Sequence, residues 1–314
     1  MEIVFLDRSS LRAEIRRPTF QHMWKEFDNT TENEIMSRAM DAAVIITNKV
    51  PLRDRVLSQL SNLKMIAVAA TGVDVIDLES CRRLGITVCN VRNYAPHSVP
   101  EHVLALILAL RRNLFSYRKA VESGAWVRAD QFCLLDYPIH DLHGSILGLV
   151  GYGALARRVE ALAKAFGMHV NIAERRDADS IRPGRIRFEE LLETSDVLSL
   201  HAPLNPATVE MISEKELRSM KNRALLINTA RGGLVDEGAL ADALRNGVIA
   251  GAAIDVLNSE PPRNGSPLLD LVLPNLIVTP HVAWASIGAM QTLADRLIDN
   301  IESYASGHPQ NVIV

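Results

Sequence analysis

Three short apolar runs in the second half of the chain each end in polar residues. In "LLINTARGGLVD" Arg231 follows an apolar strand-like run and precedes two glycines. In "AAIDVLNSEPP" Asp255 ends such a run and Glu260 follows in the next turn. In "LIVTPHVAWAS" His281 follows Pro280, which stiffens its approach. Taken singly, each has an ordinary structural use. Arg231 would pair with a surface acid, Glu260 would cap the turn before Pro261, and His281 would be a satisfied interior histidine. Together on one sheet they suit hydride chemistry. An arginine holds a carboxylate through two parallel hydrogen bonds. A histidine gives a proton to a carbonyl oxygen as hydride reaches the carbon. A glutamate beside that histidine favours its protonated form and fixes its ring.

Hydride chemistry needs a carrier, and the segment "GLVGYGALA" offers a place for one. Gly151, Gly153 and Ala156 close a predicted strand and open a predicted helix. The glycines permit a tight turn and let backbone N–H groups approach a pyrophosphate at the helix N-terminus. Alanine at the third position serves the close packing of helix on strand. Glu174 ends the next strand-like run, "HVNIAE", at roughly the 20-residue spacing of the acid that accepts ribose hydroxyls in dinucleotide sites. Arg175 and Arg176 follow it at once. A carboxylate at the ribose repels a 2′-phosphate and an arginine attracts one, so the reading favours NAD over NADP, with Arg175 the residue to watch. For Arg176 a solvated loop charge is the better reading.

These loops need a sheet to carry them. Apolar runs such as "EIVFLD", "AAVIITN", "MIAVAA" and "ITVCNV" alternate with amphipathic stretches, which predicts parallel sheets covered on both faces. The pattern pauses at "RNYAPHSVPEHV". There Ser98 and Glu101 fit a capping box, and a helix is expected from Ser98 to about Asn113, apolar all round and buried. A second α/β series starts at "SILGLVGYG", with helices expected near 154–166, 187–194, 213–220 and 236–246. The fold class is therefore α/β, with two doubly wound, Rossmann-like parallel-sheet units.

With these motifs in place, the chain resembles the D-isomer-specific 2-hydroxyacid dehydrogenases, in the glycerate dehydrogenase/hydroxypyruvate reductase branch. "HAPLNPAT", "LINTARGGLVDEGAL", "AAIDVLNSEPP" and "TPHVAWAS" carry the resemblance more specifically than the glycine loop does. It implies Arg231 as substrate clamp, Glu260 as the partner that orients the histidine, and His281 as acid/base. It implies Asp255 at the nicotinamide carboxamide, and Leu155, His201, Ala202, Pro203, Thr229 and Ala230 along the cofactor. It also implies that the loop Ala70, Thr71, Gly72 and Val73 offers N–H groups to a substrate carboxylate. Trp284 either walls the substrate pocket or packs at a hinge. Asn48 and Lys49 either line the mouth or form a solvated turn.

The implied architecture is discontinuous: a flavodoxin-like substrate-binding domain of 1–97 plus 288–314, and an NAD(P)-binding domain of 98–287. The active site is expected in a cleft between them, and the protein as a homodimer through the cofactor domain. The implied reaction is reversible reduction of a small 2-keto acid of the hydroxypyruvate or glyoxylate type to the D-2-hydroxy acid. The rivals are a non-enzymatic NADH-sensing corepressor, 3-phosphoglycerate dehydrogenase, and formate or phosphite oxidation on the same scaffold.

Bulk properties agree with that reading. The chain has 314 residues, and its 48% hydrophobic and 23% charged content is ordinary for a globular protein. A formal charge of −3 argues against a general nucleic-acid binder. The apolar run Val103–Leu110 is too short to span a bilayer, and "MEIVFLDRSS" does not read as a signal peptide. Cys81, Cys89 and Cys133 have no paired spacing and suit a reducing cytoplasm. His140 and His143 lack a third ligand at zinc spacing, so no metal is expected.

Overall fold

The computed structural model describes residues 1–314. The chain divides into two compact units: Met1–Ala95 with Ala285–Val314, and Pro96–Trp284. In chain order the first unit contains β1 (Glu2–Phe5), β2 (Met23–Glu26), α1 (Ile35–Ala39), β3 (Val44–Thr47), α2 (Asp54–Leu57), β4 (Met65–Val68), α3 (Leu78–Leu84) and β5 (Thr87–Cys89). The second contains α4 (Ser98–Arg111), α5 (Leu114–Glu122), β6 (Ile146–Val150), α6 (Ala154–Ala165), β7 (His169–Ile172), α7 (Phe188–Thr194), β8 (Val197–Leu200) and α8 (Glu214–Ser219). It continues with β9 (Leu225–Asn228), α9 (Glu237–Arg245), β10 (Gly251–Ile254) and β11 (Leu276–Val278). The final helix, α10 (Ile287–Ala305), returns to the first unit.

The first unit's sheet runs β2-β1-β3-β4-β5, and every neighbouring pair is parallel. β1, β3 and β4 are buried along their whole length, as continuous apolar strands covered on both faces must be. Val4, Ile45, Ile66 and Val68 meet Ile35, Leu57 and Cys81 in one core. α10 packs on β4 through a stripe that includes Leu293, Leu297 and Ile301, the spacing of one helical face. Its first turn is closed by Ser286, whose side chain accepts from the Ala289 N–H.

The second sheet runs β11-β10-β9-β8-β6-β7, again parallel throughout. Alternate strand residues divide its two faces. Leu198, Leu200, Leu226, Ala252 and Ile254 meet Leu191, Leu217 and Leu240 from α7, α8 and α9. α4 packs on α6, β9 and β10, and α6 also reaches β7. Both sheets reverse their strand order once, between β1 and β3 and between β6 and β8. Such reversals leave a crevice at the carboxyl ends of the two strands, where ligands of open α/β sheets bind.

Three local details differ from the sequence expectations. β2 was not expected: it is an edge strand whose residues are exposed or half-buried, so the apolar signal is weak. α5 was not separated from its surroundings by the apolar pattern. Ser98 does not cap α4. His97 holds the N-cap position without a side-chain bond, and the Ser98 hydroxyl donates to the Ala283 carbonyl at 2.6 Å, tying the helix start to the segment after His281.

Candidate active site

Arg231, Glu260 and His281 follow β9, β10 and β11, three neighbouring strands. The His281 ring meets the Glu260 carboxylate, with Nδ1 2.5 Å from Oε2. A carboxylate accepts, so Nδ1 carries the proton of that bond and Nε2 is the ring nitrogen left outside it. The other Glu260 oxygen, Oε1, accepts from the Leu257 N–H at 2.9 Å, which fixes the carboxylate from behind.

His281 sits at φ +56, a backbone region that non-glycine side chains seldom adopt and that neighbours must hold in place. Its N–H donates to the carbonyls of Asp255 at 2.8 Å and Thr279 at 3.0 Å. Asp255 does more. Only 1% exposed, it accepts from the Thr279 hydroxyl at 2.5 Å and from the N–H groups of Val282 and Ala283, both at 2.9 Å. His102 in α4 reaches Thr279 at 3.2 Å. The structure thus places Asp255 beneath the histidine loop as its clamp.

Arg231 leaves β9 through a bracket made by Asn228. That side chain donates to the Arg231 carbonyl at 2.8 Å and accepts from the Ala230 N–H at 3.1 Å. Gly232 is required: a Cβ there would lie 2.1 Å from the Leu257 carbonyl carbon. The loops carrying Arg231 and Glu260 are therefore in backbone contact. Glu237, at the start of α9, accepts from the Asn258 N–H at 2.7 Å and the Ser266 hydroxyl at 2.5 Å, pinning both flanks of the Glu260 turn. The sequence reading missed Asn228, Glu237, His102 and Thr279. The acid following Asp236 in "VDEG" was the one available signal.

The glycine loop lies at the order reversal. Gly151 has φ +87, and a Cβ there would lie 2.6 Å from the His201 carbonyl oxygen, so the loops after β6 and β8 touch where ligands bind. Gly153 is the N-cap of α6 and makes no side-chain cap bond, and nothing lies within 4 Å of a Cβ built on it. The first-turn N–H groups of α6 thus face open space beside an uncapped helix N-terminus, which fits a pyrophosphate. Ala156 is fully buried, and Leu155 is exposed beside it.

His201 lines the same crevice. Its Nε2 is 2.9 Å from the Ser199 hydroxyl, and burial pushes its pKa down to about 4. Ala202 is half-buried and Pro203 exposed. At the end of β9 the Thr229 hydroxyl is buried without a hydrogen-bond partner, a group a ligand would satisfy. Trp284, half-buried, closes the unit. These features fit a dinucleotide. The Glu174 carboxylate, expected at the ribose, is bound by Arg182, through Nε at 2.6 Å and through Nη2.

In the first unit, Ala70, Thr71, Gly72 and Val73 follow β4. The Thr71 hydroxyl donates to the Val91 carbonyl at 2.8 Å, and Asn90 donates to the Thr71 carbonyl at 2.7 Å. The loop is held while its N–H groups stay available. Asp7, at the end of β1, accepts from the Asn48 N–H at 3.0 Å and the Lys49 N–H at 2.7 Å, leaving the Lys49 side chain exposed.

The chain is similar to several known proteins. Residues 104–283 match the family described as D-isomer specific 2-hydroxyacid dehydrogenase, NAD binding domain. A glycerate dehydrogenase of Methylorubrum extorquens is 51% identical over 99% of this chain and 98% of its own length. A hydroxypyruvate reductase of Blautia hydrogenotrophica is 33% identical over 90% of this chain and 88% of its own. Among solved structures, an acyclic imino acid reductase in complex with NADPH and D-Arg has a TM-score of 0.85 at 29% identity, covering all of both chains.

Proposed function

The chain belongs to the D-isomer specific 2-hydroxyacid dehydrogenase family, and from that premise we propose how its residues divide the work. It is an NAD(P)-dependent oxidoreductase that reduces small 2-keto acids reversibly. Within that activity we assign hydroxypyruvate and glyoxylate as the preferred substrates, on the names of its relatives.

The observation that carries the chemistry is the 2.5 Å contact between His281 Nδ1 and Glu260 Oε2. With Nδ1 fixed on the carboxylate, Nε2 gives its proton to the substrate carbonyl oxygen during reduction and takes it back during oxidation. The Glu260 carboxylate holds the ring by Nδ1 in both directions of the reaction. Arg231 holds the substrate carboxylate and polarises the carbonyl. Asp255 keeps the His281 loop in its uncommon backbone state. The cofactor, when bound, supplies the hydride. Gly151, Gly153, Leu155, Ala156, His201, Ala202, Pro203 and Thr229 would hold it, with Ala230 beside Thr229. Trp284 would border the substrate. In the first unit the N–H groups of Thr71, Gly72 and Val73 suit a carboxylate oxygen.

We assign the unit Pro96–Trp284, a little short of the expected 98–287 at its end, to cofactor binding, and Met1–Ala95 with Ala285–Val314 to substrate binding. We further propose a homodimer formed through α5 and the segment after it. There Val127 and Phe132 are each 90% exposed and Leu135 is 76% exposed, apolar side chains that a partner would cover. No helix is long and apolar enough to cross a membrane. The thiols of Cys81 and Cys89 are buried and pushed up to about 11 by burial, inert groups that suit a reducing cytoplasm. The test is a panel: oxidation of NADH and NADPH with hydroxypyruvate, glyoxylate, pyruvate and a branched 2-keto acid. Turnover is expected with the two small polar acids first. No oxidation with any of the four would overturn the reading.

A further inference from the structure

The Glu174 carboxylate has no capacity left. Arg182 donates to Oε2 from Nε at 2.6 Å and to Oε1 from Nη2, and its own N–H reaches Oε2 at 3.2 Å. The Arg175 N–H reaches Oε1 at 2.8 Å. A carboxylate presents about four lone-pair sites, and here each oxygen already has two donors. The side chain is only 2% exposed. The Arg182 guanidinium holds the acid well below the usual carboxylate range, so Glu174 is an anion whose charge is matched in place. Arg185 adds a second guanidinium, with Nε 3.9 Å from Oε2.

The other charged groups of the same loop differ in their engagement. Arg176 turns away to Glu216 at 2.5 Å and lies over the Phe188 ring. Asp177 and Asp179 are exposed and make no ion pair. Arg175, the residue directly after Glu174, is exposed, and its guanidinium makes no ion pair either. A free glutamate at a ribose accepts its hydroxyls and repels a 2′-phosphate. A glutamate already holding a guanidinium in the bidentate manner can do neither, while a free guanidinium next to it can grip a phosphate.

We infer that Arg182 sets the choice of cofactor: by occupying Glu174 it removes the preference for a bare ribose, so that the adenosine end accepts a 2′-phosphate beside Arg175 as well as NAD. Arg182 is then a positioning residue that acts through Glu174. The inference rests on the nucleotide-binding reading of the Gly151–Ala156 loop.

Calorimetric binding of adenosine 2′,5′-bisphosphate and of ADP to the intact protein tests it without any turnover. Wild type is expected to bind both. In Arg182→Gln, Glu174 is released, and affinity for the bisphosphate relative to ADP falls about tenfold or more. In the Arg182→Gln/Glu174→Gln double variant that fall is cancelled, because the freed charge is gone. Arg175→Ala loses more affinity for the bisphosphate than for ADP, an arm that stands even if Arg182→Gln fails to fold. An unchanged ratio in Arg182→Gln or in Arg175→Ala overturns the inference while leaving the nucleotide site intact. A fall that persists in the double variant overturns it too, since Arg182 would then touch the phosphate directly. Failure of wild type to bind either nucleotide removes both the inference and the site beneath it.

Discussion

The two sheets reverse strand order in the same way, yet their crevices are used differently. Between β1 and β3 the first unit fills its own crevice: Asp7, 5% exposed, turns its carboxylate onto the N–H groups of Asn48 and Lys49. Burial raises its pKa against the pull of those same bonds. Between β6 and β8 the second unit leaves the place open, with Gly151 pressed against the His201 backbone and Gly153 facing empty space. Topology makes a crevice in both cases. One side chain decides whether the backbone donors there serve the fold or a ligand. The same lesson separates Glu174 from Glu260. The first has both oxygens bound to donors beside it in its own loop, whereas the second sets one against the Leu257 N–H and the other against the His281 ring.

Breaking the difference at its most reactive point should have the largest effect. His281→Ala should lower kcat for 2-keto acid reduction by about 10²–10⁴-fold, the usual share of a general acid. NADH affinity, read by fluorescence titration, should stay close to wild type because the β6–β8 crevice is untouched. Gly153→Asp puts into the second crevice what the first already has. The open space and extended backbone admit the side chain, and aspartate at an N-cap favours the helix. Thermal stability should hold or rise while NADH affinity drops by roughly a hundredfold through repulsion of the pyrophosphate.

The converse change, Asp7→Asn, replaces an acceptor oxygen by an N–H donor facing a buried N–H. It should cost about 1–3 kcal/mol in urea denaturation. The smallest effect belongs to His201. Its folded pKa of about 4 lies below the ordinary value of 6.5. The unfolded chain therefore binds the proton that the native state refuses, and stability falls as pH drops from 6.5 towards 4. His201→Gln should flatten that part of the Tm profile by about 2–5 °C; an unchanged slope would mean the ring titrates freely in the native state.

Much of this was legible because buried parallel strands and strand-end loops leave strong local marks. Continuous apolar runs marked most of the strands, and the family resemblance paired Glu260 with His281. What escaped depends on contacts between segments. β2 has an exposed edge and no alternation to announce it. Arg182 lies in a loop without periodicity, and nothing local says that it turns back onto Glu174. Ser98 has the right neighbours for a cap, but the Ala283 carbonyl competes for its hydroxyl. Asp255 was expected at the cofactor by family likeness, and its bonds to Thr279, Val282 and Ala283 could be seen only once those residues were folded around it.

The central claim is that the His281–Glu260 pair carries the proton, and pH profiles test it most directly. Reduction of hydroxypyruvate needs the imidazolium and oxidation of glycerate needs the neutral ring, so the first should fall with rising pH where the second climbs. Glu260→Gln leaves Nδ1 without its carboxylate acceptor, and kcat in both directions should fall by about tenfold or more. Profiles for the two directions that run together, or an unchanged kcat in Glu260→Gln, would contradict the account.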